Sequence, residues 1–368
     1  MSDRKGGFTQ ETYDEVNQKV KDAGGDTSHA GRQTIRDTGK LHPLVDPAGY
    51  DLIRRSLPRY LGETFKLPNG MPMLTETLGD TTGSMGGNVK LMFDSLPKFY
   101  SLLTEGKYPV LGNYDPQVMN AIFGDVQDNF VLARTQAEMD KKIAEQLTLM
   151  VPEREGGDSD EDPEYGLFGA AYLTDAFISR YGLKYYHFMV TDAKSHGRVD
   201  KRNLVRVFSE EVFEKVKENC QISFDEKNLP DTKDIVKALQ KQAHAFAILV
   251  ESPESYWSKF YGPENVVVID STENLPYVQS TLIGLTEGVF GLNDVTEYLK
   301  SVGLNKAEAI KIQRAVANIP VGAQTQFENF SKIPKKGSIF ANKHDLWPLE
   351  ITDMENHKPE KPKQHTWM

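Results

Sequence analysis

From about residue 70 onward, short runs of apolar, β-favouring residues alternate with apolar stripes at helical spacing, and this alternation narrows the possible folds more than any other feature. Residues 73–78, 119–125, 185–190, 245–250 and 266–269 read as strands. Val89, Met92, Phe93, Leu96, Phe99 and Leu103 mark a helix with Pro97 as a kink, and Met139, Ile143, Leu147 and Met150 mark another. Further helices are expected at 167–181, 204–218 and 234–242. Strands separated by helices predict an α/β fold with a doubly wound, mostly parallel central sheet and helices on both faces. Sheets of this kind bind ligands in a crevice at the carboxyl ends of their strands.

The ends of those strands carry the chemistry. Asp80-Thr81-Thr82-Gly83-Ser84-Met85 sets one carboxylate and two hydroxyls at alternate positions on a glycine-containing turn. Oxygen ligands converging there suit a hard divalent cation such as Mg²⁺, which prefers oxygens at about 2.0–2.1 Å and keeps several waters. The plainer reading is a helix N-cap, since Asp, Thr and Ser are the usual capping residues. A second loop, 156–164, is acidic and glycine-bearing, and its bland reading is a solvated turn. A third, Val190-Thr191-Asp192-Ala193-Lys194-Ser195-His196, ends an aromatic-rich strand at an aspartate, which could equally be a simple turn residue. His196 reads as solvent-facing and His187 as a satisfied core residue. Trp257, with Tyr256, Phe260 and Tyr261, reads as a packed flap or as a partner surface.

Taken together, the three loops resemble the von Willebrand factor A (vWA) family and its metal-ion-dependent adhesion site, in a bacterial or phage type of member. The family's first motif is Asp-x-Ser/Thr-Gly-Ser-Met, and Asp80, Thr82 and Ser84 fall on its ligand positions. Asp192 corresponds to the third-loop aspartate. Many members place a threonine on the second loop. Here Asp158 is the candidate, with Ser159 as the alternative. The resemblance covers roughly residues 68–290, including 275–288, which looks like the family's last helix. It implies Mg²⁺ or Mn²⁺ bound by Asp80, Thr82, Ser84, Asp192 and Asp158, and a partner protein whose acidic side chain completes the shell. One feature departs from the pattern: Glu76 and two threonines sit in what should be an apolar central strand, so the strand lies at an edge or Glu76 is paired.

Around this unit the sequence suggests an N-terminal arm and short helix over 1–67, the helix at about 50–60, and a helical extension with an irregular tail over 291–368. Asp294-Val295-Thr296-Glu297 resembles a capped helix start, and Ala309, Ile312, Val316 and Ile319 give an amphipathic face. The formal net charge of −10, from 53 acidic and 43 basic residues, argues against nonspecific nucleic-acid binding. The single cysteine, Cys220, leaves no intramolecular disulfide. No long apolar run suggests a membrane span or signal core, so a cytoplasmic protein is expected.

Three functions are open on this reading. The first is a metal-dependent protein-binding module without enzymatic activity, because no nucleophile–base pair is evident. The second is an assembly subunit built on the same scaffold, its arm and tail wrapping neighbours or further copies. The third is an aspartyl-phosphate phosphotransferase with Asp80 as nucleophile. In that reading Asp125 and Asp128 supply later acids, but threonine stands at 81 where such enzymes carry lysine.

Overall fold

The computed structural model describes residues 15, 18–59, 65–139, 141–153, 160–252 and 254–340. Its centre is a six-stranded sheet. The strands are β1 (Met71–Asp80), β2 (Tyr114–Phe123), β3 (Leu132–Arg134), β4 (Tyr185–Thr191), β5 (Ala243–Val250) and β6 (Val266–Ile269). They lie in the order β6-β5-β4-β1-β2-β3. Every neighbouring pair is parallel except the short edge pair β2 and β3. The chain thus winds outward from β1 to one edge, then returns to β4 and winds to the other. The order reverses between β1 and β4.

β1 is buried along all ten residues, as expected of a strand covered on both faces. Adjacent side chains of a strand point to opposite faces, and Leu78 and Gly79 show which helix covers each. A Cβ added at Gly166 of helix α4 (Pro163–Tyr172) would meet Leu78 Cδ1 at 2.4 Å, so Leu78 packs against α4. A Cβ added at Gly79 would meet the Sδ and Cε of Met92 at 2.5 Å, so Gly79 faces α2 (Gly87–Thr104). The predicted stripe from Val89 to Leu103 is buried in α2, with Pro97 inside the helix. Helix α9 (Leu275–Thr286) packs beside α2, and α7 (Thr232–Gln242) beside α4.

Glu76 lies in a central strand and is paired. Only 1% exposed, it accepts from Arg134 Nε at 2.8 Å, and Arg134 also donates to the Leu173 carbonyl and the Thr174 hydroxyl. The cation offsets much of the cost of burying this carboxylate, although its Oε2 has no hydrogen-bond partner. On the other face Thr77 accepts from Gln279 of α9 at 2.7 Å.

Several expectations change. The helix predicted over 167–181 is α4, which starts at Pro163 and ends at Tyr172. Thr174–Ala176 then runs as a strand and Phe177–Tyr181 as a 3-10 turn. The segment stays buried across the break, so apolar spacing could not mark it. The 204–218 helix divides into α5 (Lys201–Phe208) and α6 (Val212–Cys220) at Ser209, whose φ of 71° ends the first. The helix placed at 50–60 is absent. Arg54–Ser56 is instead a strand paired with Thr174–Ala176, fixed by the buried Arg54 guanidinium on the carbonyls of Asp46, Arg134 and Thr135. The helix of the N-terminal arm is instead α1 (His29–Thr38). Gly31 lets it seat, since a Cβ there would stand 2.2 Å from the Leu149 carbonyl oxygen. The second stripe becomes α3 (Lys141–Leu147), with Met139 outside it.

Beyond the sheet, α8 (Glu254–Tyr261) links β5 to β6. The extension forms α10 (Val295–Ser301) and α11 (Lys306–Ala315), with Ala309 and Ile312 buried as predicted. Asp294 turns its side chain back to accept from Gly291 N–H at 3.1 Å rather than capping α10. Ile339–Phe340 pairs antiparallel with Phe65–Lys66. The basic tail lies outside the described residues. Among those described, no helix is long and apolar enough to cross a membrane.

Two stability outcomes follow from this packing. Gly166→Ala should cost about 1–3 kcal/mol in urea unfolding, the usual toll of overfilling a packed core. Gly79→Ala, whose close contact is with the flexible end of Met92, should cost less, and an equal loss would show that Met92 cannot give way. At the amino end of the sheet, Tyr186 and Tyr114 donate to Glu287 at 2.7 and 3.1 Å. Burial pushes the Glu287 carboxyl up from 4.5 to about 7, against those two hydrogen bonds. The unfolded group ionises first, so its contribution to stability is complete below the unfolded value and is lost as pH rises through the folded one. Glu287→Gln should therefore raise the thermal midpoint at pH 8 and change it little at pH 4. A gain of equal size at both pH values would contradict this.

Candidate functional site

The carboxyl ends of β1 and β4 are neighbours at the point where strand order reverses, the place where doubly wound sheets open a crevice. β1 ends at Asp80 and β4 at Thr191. After Asp80 the chain makes a 3-10 turn, Gly83–Met85, anchored by the buried Met85. It then passes through Gly86, with φ of 49°, into α2.

Hydrogen bonds run outward from the buried end of β1. Asp80 Oδ1 accepts from the Thr82 N–H at 2.9 Å and from the Thr82 hydroxyl at 2.6 Å. Asp80 Oδ2 accepts from the Thr191 hydroxyl at 2.6 Å. The hydroxyl oxygens of Thr82 and Ser84 lie 3.2 Å apart, and Ser84 donates to Asp192 Oδ1 at 2.8 Å. Asp80 and Thr82 are buried, Asp192 is half-buried and Ser84 is exposed. The capping reading fails, because no side chain caps either the 3-10 turn or α2. Asp80, Thr82, Ser84 and Asp192 thus form one cluster.

Asp158 and Ser159, the second-loop candidates, lie outside the described residues. The residue this loop does bring to the cluster is Glu161, which the sequence reading missed. Asp160–Glu161 forms a parallel ladder with Lys194–Ser195, tying the second loop to the third. Glu161 is 3% exposed, and its Oε2 has no hydrogen-bond partner. Burial pushes its carboxyl up to about 8, the charges of Asp80, Asp125 and Asp128 add to this, and the Thr82 hydroxyl opposes it. Asp80 itself is pushed up to about 6 by burial, against the bonds from Thr191 and Thr82. The one signal available was the acidic run itself, and its composition is that of a solvated loop.

The third loop is pinned from beneath. Trp257 Nε1 donates to the Ala193 carbonyl at 2.9 Å and the Tyr256 hydroxyl to the Ser195 carbonyl at 3.1 Å. Trp257 and Tyr261 are buried, so the packed-flap reading holds. His196 is not simply solvent-facing: its Nδ1 lies 3.3 Å from Asp162 Oδ1 and 3.1 Å from the Glu161 carbonyl. His187 is in the core but unsatisfied, with neither ring nitrogen hydrogen-bonded, and burial lowers it to about 4.

The donors gathered at the cluster are oxygens only, the set a hard divalent cation takes. Among the described residues no group of three or more His, Cys, Asp and Glu side chains is arranged to hold an ion. Coordination here would therefore lean on the Thr82 and Ser84 hydroxyls beside Asp80 and Asp192.

No family model matches the chain, and no curated protein matches it. Several solved structures are similar in part. Proximal thread matrix protein 1 from the mussel byssus is 14% identical over 59% of this chain and 46% of that chain, with a TM-score of 0.36. The pilus adhesin SpaC from Lactobacillus rhamnosus GG, in its open conformation, is 14% identical over 59% of this chain and 30% of that one, at 0.39. A von Willebrand factor type A protein from Catenulispora acidiphila is 13% identical over 58% and 42%, at 0.31. The chain thus spans less than half the length of each. Likeness this distant leaves the site to be judged on its own geometry.

Proposed function

We propose that this chain is a metal-dependent protein-binding module. Mg²⁺ or Mn²⁺ would be held by Asp80, Thr82, Ser84 and Asp192, with Asp158 as the second-loop ligand. An acidic side chain of a partner protein would complete the shell. The observation that supports this most is the oxygen cluster itself, which joins the ends of β1 and β4 and reaches solvent at Ser84. The resemblance of the three loops to the vWA motifs points the same way. The Thr82 and Ser84 hydroxyls would bring no charge to the cation, so it would keep more of its attraction for an incoming carboxylate than an all-carboxylate shell would leave it.

Binding rather than turnover suits the state of Asp80. Both of its oxygens are engaged by Thr82 and Thr191, which fits a structural anchor better than an attacking nucleophile. An assembly subunit would use the same site to join copies or neighbours permanently. Size-exclusion chromatography with and without chelator separates the two, because only metal-bridged assembly shifts in mass.

Isothermal titration of Mg²⁺ and Mn²⁺ into chelator-treated protein tests the proposal. One saturable site in the wild type, lost in Asp80→Ala, is the expected result, together with chelator-sensitive capture of an acidic partner. Absence of saturable uptake by the wild type would overturn it, and phosphatase activity lost in the same variant would favour the phosphotransferase reading.

A further inference from the structure

The third loop delivers Asp192 to the cluster, yet the contacts that hold it come from elsewhere. Trp257 and Tyr256 of α8 fix the carbonyls of Ala193 and Ser195. Further along, the Gly197 N–H donates to Glu164 Oε1 at 2.6 Å, and the same oxygen accepts from the Thr232 hydroxyl at 2.8 Å. Glu164 sits in the first turn of α4 with no exposure, and Thr232 opens α7. Across Pro163, Asp162 does similar work at the rim. Its Oδ2 accepts from the Val126 N–H at 2.8 Å, and its Oδ1 faces His196.

Placing an acid at position 164 is costly. Its second oxygen, Oε2, is buried without a hydrogen-bond partner. Burial of an ionised group costs several kcal/mol unless it is well paired. What the acid supplies in return is a strong acceptor on a rigid helix, aimed at a loop N–H. Charge-assisted bonds to backbone N–H groups are short and about twice as strong as neutral ones. α4 is itself locked under β1 by the Gly166–Leu78 contact, so the acceptor is fixed relative to Asp80.

We infer that Glu164, a buried carboxylate outside the candidate ligand set, is the positioning residue that clamps the third loop to α4 and holds Asp192 opposite Ser84. The role assigned to Asp192 rests on the metal reading above, whereas the clamp on the loop does not. Tyr256 and Trp257 brace the same loop from α8. Well-placed groups that orient a metal's ligands typically change affinity by 10–100-fold when lost.

The test uses the full chain with Glu164→Leu, Glu164→Gln and Tyr256→Phe, and it has two readouts. The first is amide hydrogen exchange of the metal-free protein, and the second is Mn²⁺ titration counted per folded chain. Glu164→Leu should speed exchange selectively over residues 192–197 and weaken Mn²⁺ about tenfold with stoichiometry unchanged. Glu164→Gln keeps an acceptor oxygen but not the charge, and should fall between the wild type and Glu164→Leu in both. If Glu164→Leu does not fold, Glu164→Gln carries the test through faster exchange at Gly197 than in Tyr256→Phe, which should loosen the loop only at Ser195. Exchange that rises uniformly across the chain, or a third loop as protected as in the wild type, would overturn the clamp. A wild type that takes up no Mn²⁺ would instead sink the metal reading, and the exchange pattern alone would then decide on the clamp.

Discussion

The hydrogen bond from the Thr191 hydroxyl to Asp80 Oδ2 joins the ends of two adjacent parallel strands, and the site depends on it. Asp80 is fully buried at the last position of the central strand, where water cannot satisfy it. Its carboxylate must therefore be met from within, and only the residues at the reversal of strand order are close enough. Thr82 supplies an N–H and a hydroxyl from the following turn, and Thr191 supplies a hydroxyl from the neighbouring strand. Once Asp80 is held in this way, Thr82 is held too, and Ser84 is presented beside Asp192. Topology thus places the oxygens, and hydrogen bonding orients them.

The same logic explains the polar residues of β1. A strand between two helical layers should be apolar, and Thr75, Glu76 and Thr77 break the rule. Each is compensated across a different interface. Glu76 meets Arg134 of the edge strand, Thr77 meets Gln279 of α9, and Thr75 reaches the Gln117 carbonyl of β2 at 3.4 Å. These bonds tie the central strand to its coverings at one register. A slip of one residue would strand all of them, because alternate side chains would change faces.

Much of this was legible in the sequence, for physical reasons that can be named. Strands buried on both faces read as continuous apolar runs, and α2 kept a strict helical stripe, so the sheet and its main helix were visible. The alternation of Asp80, Thr82 and Ser84 was visible because a tight turn at a strand end directs alternate side chains to one volume. What escaped lacked a local signal. The break after Tyr172 falls within buried residues, so periodicity continued through it. Arg54–Ser56 became a strand because distant carbonyls capture a guanidinium, and no window of sequence contains those carbonyls. Glu161 lies in an acidic stretch whose composition describes a solvated loop, and only the ladder with Lys194–Ser195 carries it inward.

That inward turn bears on what the crevice can accept. Asp80 and Glu161 are both buried there, each pushed above the ordinary carboxyl range by lost hydration, and each raised further by a neighbouring acid. The charges of Asp125 and Asp128 act on Glu161 from the loop after β2. An anion entering alone would oppose these acids further and would be disfavoured. A divalent cation would instead relieve the repulsion that folding has built in, and only then could an acidic group of a partner approach. On the proposed reading, electrostatics would set the order of binding, with the cation first and the carboxylate second. Because the unfolded chain disperses these acids, a cation's affinity for the folded form would also add to stability by mass action. Metal uptake and retention of the folded cluster would then be two expressions of one free energy.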